Sequence, residues 1–477
     1  MSETVTLSLI SHTNIGKTTL ARTLLRRDVG EIADQAHVTE SAEAHSLIET
    51  PDASLMLWDT PGFGDTRRLV DRLRREGEPL GWLLHQVWDR IADRPLFCSQ
   101  RAVRNVKEEA DVVLYLVNAA EDPEHAGYVA LELEILTWME RPVLLLLNQV
   151  GDEAANATAR WKSFADSRPI VRGLLPLDAF SRCWIEEETL LNSVTALLEG
   201  PKQAAMQRLT AAWAERNTRI FNTSCRRMAG YVSRAAVDRE NQNSRLESSG
   251  AMKVVGDLAR MVTGGAAPSK RAQSALNERL DSFTQELMPE LIADHGLLGA
   301  SALKIEQRVQ DYQLKGRFPI DESSGAVAGA VVAGAVTGLA ADVLAGGLTL
   351  GGGLIAGGIL GALGGSALAK GYRLVAGKQQ PYVRWTDEFL DTLCQQALLR
   401  YLAVAHYGRG QGRYKDLEQP AHWGDAVARA LAPRQGQLHA LWSLGEKDGP
   451  AARVKIESEL DAIFRKALRQ VLTQAYL

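Results

Sequence analysis

Apolar residues in this chain gather first into short continuous runs and later into helical stripes. Residues 4–10 (TVTLSLI), 53–58 (ASLMLW), 111–117 (DVVLYLV), 142–147 (PVLLLL) and 170–177 (IVRGLLPL) have the length of strands and are largely apolar throughout. Stretches of helical period separate them, beginning with KTTLARTLLRR from Lys17. A sheet open to water on one face would alternate polar and apolar positions. Uninterrupted runs between helices predict a parallel sheet covered on both faces. The expected fold class is α/β, a doubly wound and mostly parallel sheet.

From about residue 200 the runs give way to stripes. Trp213, Ile220, Phe221 and Met228 fall at spacings that share one helix face, 270–315 continue in that style, and 384–405 and 451–477 read as amphipathic helices. Residues 325–369 are different: Asp342 is the sole charge, and Gly353, Gly357, Gly361 and Gly365 recur at every fourth position. Such a stripe lets helix backbones approach closely, as membrane helices do. The first half spans roughly 26 Å as helix, marginal for a hydrocarbon core of about 30 Å. A hairpin that meets a membrane surface fits these lengths, and so does a tightly packed hairpin within a soluble helical domain. The expected organisation is an α/β domain over 1–200, a helical domain over 201–322, a glycine-rich hairpin over 323–376 and a helical region over 377–477. Everything after the first domain is expected to be all-α.

Composition narrows the partners. The chain has 477 residues, with 54 Lys and Arg against 58 Asp and Glu and a net charge of -4. No basic run appears, so nucleic acid is not an expected partner. Cys98, Cys183, Cys225 and Cys394 are far apart, with neither a metal-ligand nor a disulfide spacing. The N-terminus lacks a basic-then-apolar leader, so a cytoplasmic setting is expected, peripheral to or inserted in an inner membrane if 325–369 engages lipid.

The candidate chemistry lies between the first strand and the first helix. Ser11-His12-Thr13-Asn14-Ile15-Gly16-Lys17-Thr18-Thr19 supplies backbone N–H groups that converge on phosphate oxygens at a helix N-terminus. Gly16 lets the chain pass close to phosphate. Lys17 is placed to neutralise the outer phosphates and Thr18 to ligate Mg²⁺. Asp59-Thr60-Pro61-Gly62 ends an apolar strand, with Asp59 as a carboxylate for the metal and the Gly62 N–H as a sensor of the terminal phosphate. Thr39 lies in the polar stretch 34–44, from which a threonine can reach both metal and phosphate, and Thr50 is the alternative. Residues 64–100 carry Arg67, Arg68, Arg90 and Arg94, read as a solvated amphipathic helix rather than as a source of an arginine finger.

SHTNIGKTT, LWDTPGFGD, ADVVLYLVNA and LLLLNQVGD together resemble the translation-factor class of P-loop GTPases, on the Era- and Der-like branch, over residues 4–198. The resemblance implies a Mg²⁺-dependent GTPase of slow intrinsic turnover that binds GTP and GDP. It assigns Lys17, Thr39 and Gly62 to catalysis and Thr18, Thr39 and Asp59 to the metal. Asn14, Ile15, Gly16, Lys17, Thr18 and Thr19 would hold phosphate; Asn148, Gln149, Asp152, Ala179 and Phe180 would hold the base. Asn14 matches an asparagine with which potassium-dependent relatives hold K⁺, or it simply caps the turn. The pattern departs from the family at Ser11, normally glycine. It departs again at Gln149-Val150-Gly151, where the guanine-gripping Asp falls one place late. Phe63 stands where other GTPases orient the attacking water with glutamine. Bacterial proteins with a glycine-zipper segment after the GTPase domain share the overall plan, and their task is unknown. The function expected is a molecular switch that couples nucleotide state to a helical effector region, through a membrane, a partner protein or self-assembly. The alternatives are a ribosome or RNA assembly factor and a nucleotide-regulated structural protein with little hydrolysis.

Overall fold

The computed structural model describes residues 2–25, 42–64, 66–74, 94–148, 154–177, 184–241, 270–296, 372–375, 380–406 and 422–476. Thr39, Gln149, Asp152, Ala179, Phe180 and the glycine-rich segment 325–369 lie outside the described residues. Two compact units divide the chain, one drawn mainly from residues 1–219 and the other mainly from 220–405 and 416–475.

The first unit is built on a six-stranded sheet of order β2-β3-β1-β4-β5-β6. Its strands are β1 (Glu3–Ile10), β2 (Glu43–Thr50), β3 (Ala53–Asp59), β4 (Val112–Asn118), β5 (Val143–Asn148) and β6 (Val171–Pro176). All neighbours pair in parallel except β2, which runs antiparallel to β3. The expected fold class therefore holds. β4 and β5 are buried almost end to end, as strands covered on both faces must be. One apolar layer joins Val5, Leu7 and Leu9 to Leu20 and Trp213, and the other joins Ile10, Tyr115 and Leu145 to Leu133 and Trp161. The helices are α1 (Lys17–Leu25), α2 (Thr66–Leu73), α3 (Arg94–Glu108), α4 (Gly127–Thr137), α5 (Ala154–Asp166) and α6 (Trp184–Leu197). Thr50 is engaged in the β2–β3 turn, where its Oγ1 donates to the Ala53 carbonyl at 3.1 Å and accepts from the Ala53 N–H at 3.1 Å.

α7 (Gly200–Val237) is continuous for 38 residues. Its early residues Met206, Leu209 and Trp213 join the first unit's core, and the compact units divide within it at residue 219. The second unit adds α8 (Lys270–Asp294), α9 (Asp387–Ala405), α10 (His422–Leu431), α11 (Gln435–Asp448) and α12 (Arg453–Tyr476). It also contains an antiparallel sheet of order β7-β9-β8, from β7 (Arg239–Asn241), β8 (Tyr372–Val375) and β9 (Tyr382–Trp385). The region after the first domain is thus mostly but not wholly helical. Strands of three or four residues are too short to display alternation, and these are pinned by charge. Arg384, 2% exposed, donates to Glu446 on α11 at 2.8 Å, and Arg279 on α8 donates to both Asp238 and Glu240 beside β7.

The second unit also buries a guanidinium with little compensation. Arg400 on α9 is 2% exposed, Nη1 donates to the Tyr231 hydroxyl at 3.3 Å, and Nε and Nη2 reach no hydrogen-bond partner among the described residues. A buried charge that lacks partners costs more than an apolar side chain of similar volume. Arg400→Met is therefore expected to stabilise the fold by ~1–3 kcal/mol, read as a rise in Tm; a fall would show that the cation is compensated.

Candidate phosphate-binding site

The site forms where β1, β3 and β5 end on the same edge of the sheet. Parallel strands deliver their following loops to that edge, which is where α/β sheets of this kind bind ligands. After β1 the chain turns through residues 11–16 into α1. Two left-handed residues make the turn: Gly16 at φ 103° and Asn14 at φ 64°. Asparagine tolerates that region better than most residues with a Cβ. A side chain on Gly16 would also press on the Asn148 amide, with Cβ 3.1 Å from Nδ2.

Asn148 closes the back of the loop. It is fully buried at the end of β5, and its Nδ2 donates to the Ile15 carbonyl at 2.9 Å. Ile15 and Thr19 are buried in turn. Of the expected base-binding set, Asn148 is the described member, and it holds the phosphate loop.

Lys17 is 7% exposed, and its Nζ donates to the Ser11 hydroxyl at 3.0 Å and to the His12 carbonyl at 3.4 Å. Ser11, the departure from the glycine pattern, is itself buried and gives the ammonium an oxygen to rest on. Burial lowers the Lys17 ammonium to about 8, against the opposing pull of Asp59 and Glu132. Burial likewise raises the Asp59 carboxyl, against its hydrogen bond from Thr18 and the charge of Lys17.

Thr18 Oγ1 donates to Asp59 Oδ2 at 2.8 Å. Asp59 Oδ1 is buried and reaches no hydrogen-bond partner among the described residues. A buried carboxylate oxygen left over beside a hydroxyl is a pair of hard oxygen donors, and it fits Mg²⁺, which takes one or two protein oxygens and completes its shell with phosphate and water. Among the described residues no cluster of three or more His, Cys, Asp or Glu is placed to hold a metal.

The loop after β3 lies against the loop after β1. Phe63 donates its N–H to the Ser11 carbonyl at 2.9 Å, and the Thr13 N–H donates to the Phe63 carbonyl at 3.2 Å. Thr60 Oγ1 donates to the Leu9 carbonyl at 2.7 Å. Gly62 is thereby pressed onto the phosphate loop: a Cβ there would lie 2.9 Å from Lys17 Nζ and 3.0 Å from Thr13 Cα. Phe63 is fully buried in the apolar cluster with Ile10, Leu69 and Val70, so its side chain lines the core. Arg67 and Arg68 stand on the exposed side of α2.

The arrangement brings together Lys17, Thr18, Asp59, Gly62, Asn14 and Gly16, and it places Asn148, read from the sequence as a base contact, against the Ile15 carbonyl. Sequence reasoning missed Ser11 as a lysine rest, Ser99, whose hydroxyl accepts from the Gly64 N–H at 3.2 Å and faces its carbonyl at 3.1 Å, and Glu132 on α4. One signal was available for Glu132. With Val129, Leu133 and Leu136 it occupies a stripe at i, i+3, i+4 and i+7, where an acid is out of place.

A family model described as a 50S ribosome-binding GTPase matches residues 6–149. A second, described as a domain of unknown function (DUF3482), matches residues 301–462. Among solved structures, the chain is similar to Era in complex with MgGDPNP and a segment of 16S ribosomal RNA, at 19% identity, 42% of this chain, 59% of that one and a TM-score of 0.32. It is similar to an Aquifex aeolicus Era variant bound to GDP.AlF4-, at 19% identity, 42% and 58% coverage and a TM-score of 0.31. It is also similar to the elongation factor SelB of Methanococcus maripaludis, at 18% identity, 41% and 35% coverage and a TM-score of 0.26. The chain spans less than two thirds of each of these proteins. By the family match, residues 6–149 form a GTP-binding domain of the P-loop GTPase type. No helix among the described residues is long and apolar enough to cross a membrane.

Proposed function

We propose that the chain is a GTP-hydrolysing molecular switch whose nucleotide state is passed to its helical C-terminal region. The observation that carries this reading is the convergence of Lys17, Gly62 and the Thr18–Asp59 pair on one strand edge, with an orphaned Asp59 oxygen among them. Lys17 and the loop amides stabilise charge on the phosphates, and Gly62 offers its N–H to the terminal phosphate. Such chemistry needs little beyond positioning and electrostatics. Thr18 and Asp59, joined by Thr39, would hold Mg²⁺, which when bound neutralises charge on the transferred phosphoryl group. The left-handed Asn14 is the residue to which K⁺ use is assigned. Gln149, Asp152, Ala179 and Phe180 remain the assigned contacts to guanine. With Phe63 in the core, the attacking water has no orienting side chain at that position, and slow intrinsic turnover follows. Membrane association through 325–369 rests on the glycine stripe of the sequence.

The test of base choice is thermal protection. A nucleotide at a hundred times its Kd adds ~2.7 kcal/mol of stability. GTP with Mg²⁺ is expected to raise Tm by several degrees and ATP at equal concentration by much less. Equal protection would overturn guanine specificity.

A second reading, ribosome or RNA assembly, has one observation in its favour. The matched family's description names binding to the 50S ribosome. The slightly acidic net charge therefore does not by itself set an RNA-bearing partner aside.

A further inference from the structure

Glu132 is fully buried, yet it sits on the apolar stripe of α4. Its carboxylate serves groups from separate parts of the chain. His12 Nδ1 lies 2.7 Å from Oε1, Thr66 Oγ1 donates to Oε1 at 2.9 Å, and the Tyr115 hydroxyl donates to Oε2 at 2.7 Å. An ionised carboxylate only accepts, so the His12 proton belongs on Nδ1. Burial and the Glu132 charge together push the Tyr115 phenol well above its ordinary range, which keeps it a donor. The His12 ring also packs on Tyr128, with centroids 4.4 Å apart.

A buried carboxylate costs several kcal/mol unless donors surround it. A leucine at this position would continue the stripe and avoid that cost. The question is what the charge does for the molecule. Two of its partners belong to the elements that carry the phosphate site. His12 lies next to Ser11, on which Lys17 rests, and Thr66 opens α2 just after Gly62 and Phe63. In front, the backbone bonds between residues 11–13 and Phe63 join the same two elements.

We propose that Glu132 is a positioning residue for hydrolysis: it clamps the loop after β1 to the start of α2 through His12 and Thr66, and so fixes Lys17 against Gly62. This inference rests on the hydrolytic reading above. The carboxylate touches no reacting atom and acts through the two loops that do. One oxygen serves both His12 and Thr66, so the two elements are held to a common point.

The test is steady-state GTP hydrolysis by purified full-length protein, with Tm measured alongside. Glu132→Ala is expected to lower kcat at least tenfold while KM for GTP stays within threefold. Thr66→Val, which severs one arm, is expected to lower kcat several-fold in the wild type and to add nothing in Glu132→Ala. Glu132→Gln keeps the shape and one acceptor oxygen facing His12 and Thr66, and is expected to recover kcat to within threefold of wild type. Folded variants with unchanged kcat, or with KM rising in step with the loss, would overturn the proposal in favour of a purely structural carboxylate. If Glu132→Ala does not fold, Thr66→Val decides: reduced kcat supports the clamp and unchanged kcat removes it. A wild type that hydrolyses no GTP removes the hydrolytic reading and the clamp together, whereas an active wild type with indifferent variants removes the clamp alone.

Discussion

Lys17→Met is expected to lower kcat/KM for GTP at least a hundredfold while raising the melting temperature of the nucleotide-free protein. The first effect follows from position. Lys17 is the cation at the mouth of the phosphate loop, and loss of a hundredfold corresponds to about 3 kcal/mol of transition-state stabilisation. The second follows from burial. The ammonium is 7% exposed and rests on neutral oxygens of Ser11 and His12. Its pKa in the folded protein is about 8, against 10.5 for an exposed lysine. Between those values the unfolded chain binds more protons, so this group's contribution to stability rises with pH across that window. Below pH 8 the penalty of burying the charge is fully present. Methionine removes that penalty, so the Tm gain over wild type should be largest near pH 7 and shrink toward pH 10.5. Calorimetry at both pH values, beside a hydrolysis assay, measures the pair of effects. A variant that is less stable at pH 7, or that still turns over GTP, would contradict the assignment. The cost of burying Lys17 is met at the moment phosphate arrives.

Gly62→Ala carries the next largest expected effect. The added methyl meets Lys17 Nζ at 2.9 Å and the Thr13 backbone at 3.0 Å. The lysine tip can swing away, but Thr13 Cα is backbone and is held by the Thr13 N–H bond to Phe63. Either Lys17 is displaced from its rest or the two loops part. Both outcomes disturb the proposed contacts to the outer phosphates. The expected result is a fall in kcat of tenfold or more, with a non-hydrolysable GTP analogue weakened more than GDP, because the proposed Gly62 N–H contact is to the outermost phosphate. Comparing GDP and non-hydrolysable GTP binding by calorimetry separates the two. Equal weakening of both nucleotides would mean that the methyl disrupts the whole loop.

Much of the first unit was legible because its strands are buried on both faces and leave continuous apolar runs. β4 and β5 could hardly be missed. β2 was harder: EAHSLIET mixes charge with apolar residues, as an antiparallel edge strand with partial exposure does. The small sheet of the second unit was not legible, since its strands are too short for a period and depend on Arg384 and Arg279 meeting acids far away in sequence. In the candidate site, Gly16, Lys17, Thr18, Asp59 and Gly62 were singled out because phosphate and metal chemistry calls for those residue types at such spacings, and the structure places them together. Ser11 and Glu132 were not, since their roles depend on what lies opposite in space. The misplaced acid on the stripe of α4 shows how such a residue can be found: it breaks the local pattern without a local reason.

The zipped Phe63 has a consequence for how the proposed hydrolysis could change. In many GTPases a glutamine at this point supplies the group that orients the attacking water. Here the side chain points into the apolar layer with Ile10, Leu69 and Val70, fixed by backbone bonds on both sides of the residue. A glutamine would bury an amide without a hydrogen-bond partner in that apolar layer, at a cost of ~2 kcal/mol, and still point away from the candidate phosphate site. Under the proposed hydrolytic reading, this substitution would therefore not speed turnover. Under the proposed hydrolytic reading, the rate would rise more readily through a donor supplied from outside the loop than by rewriting the loop itself. For the switch proposed above, timing would then fall to a protein or surface that supplies such a group.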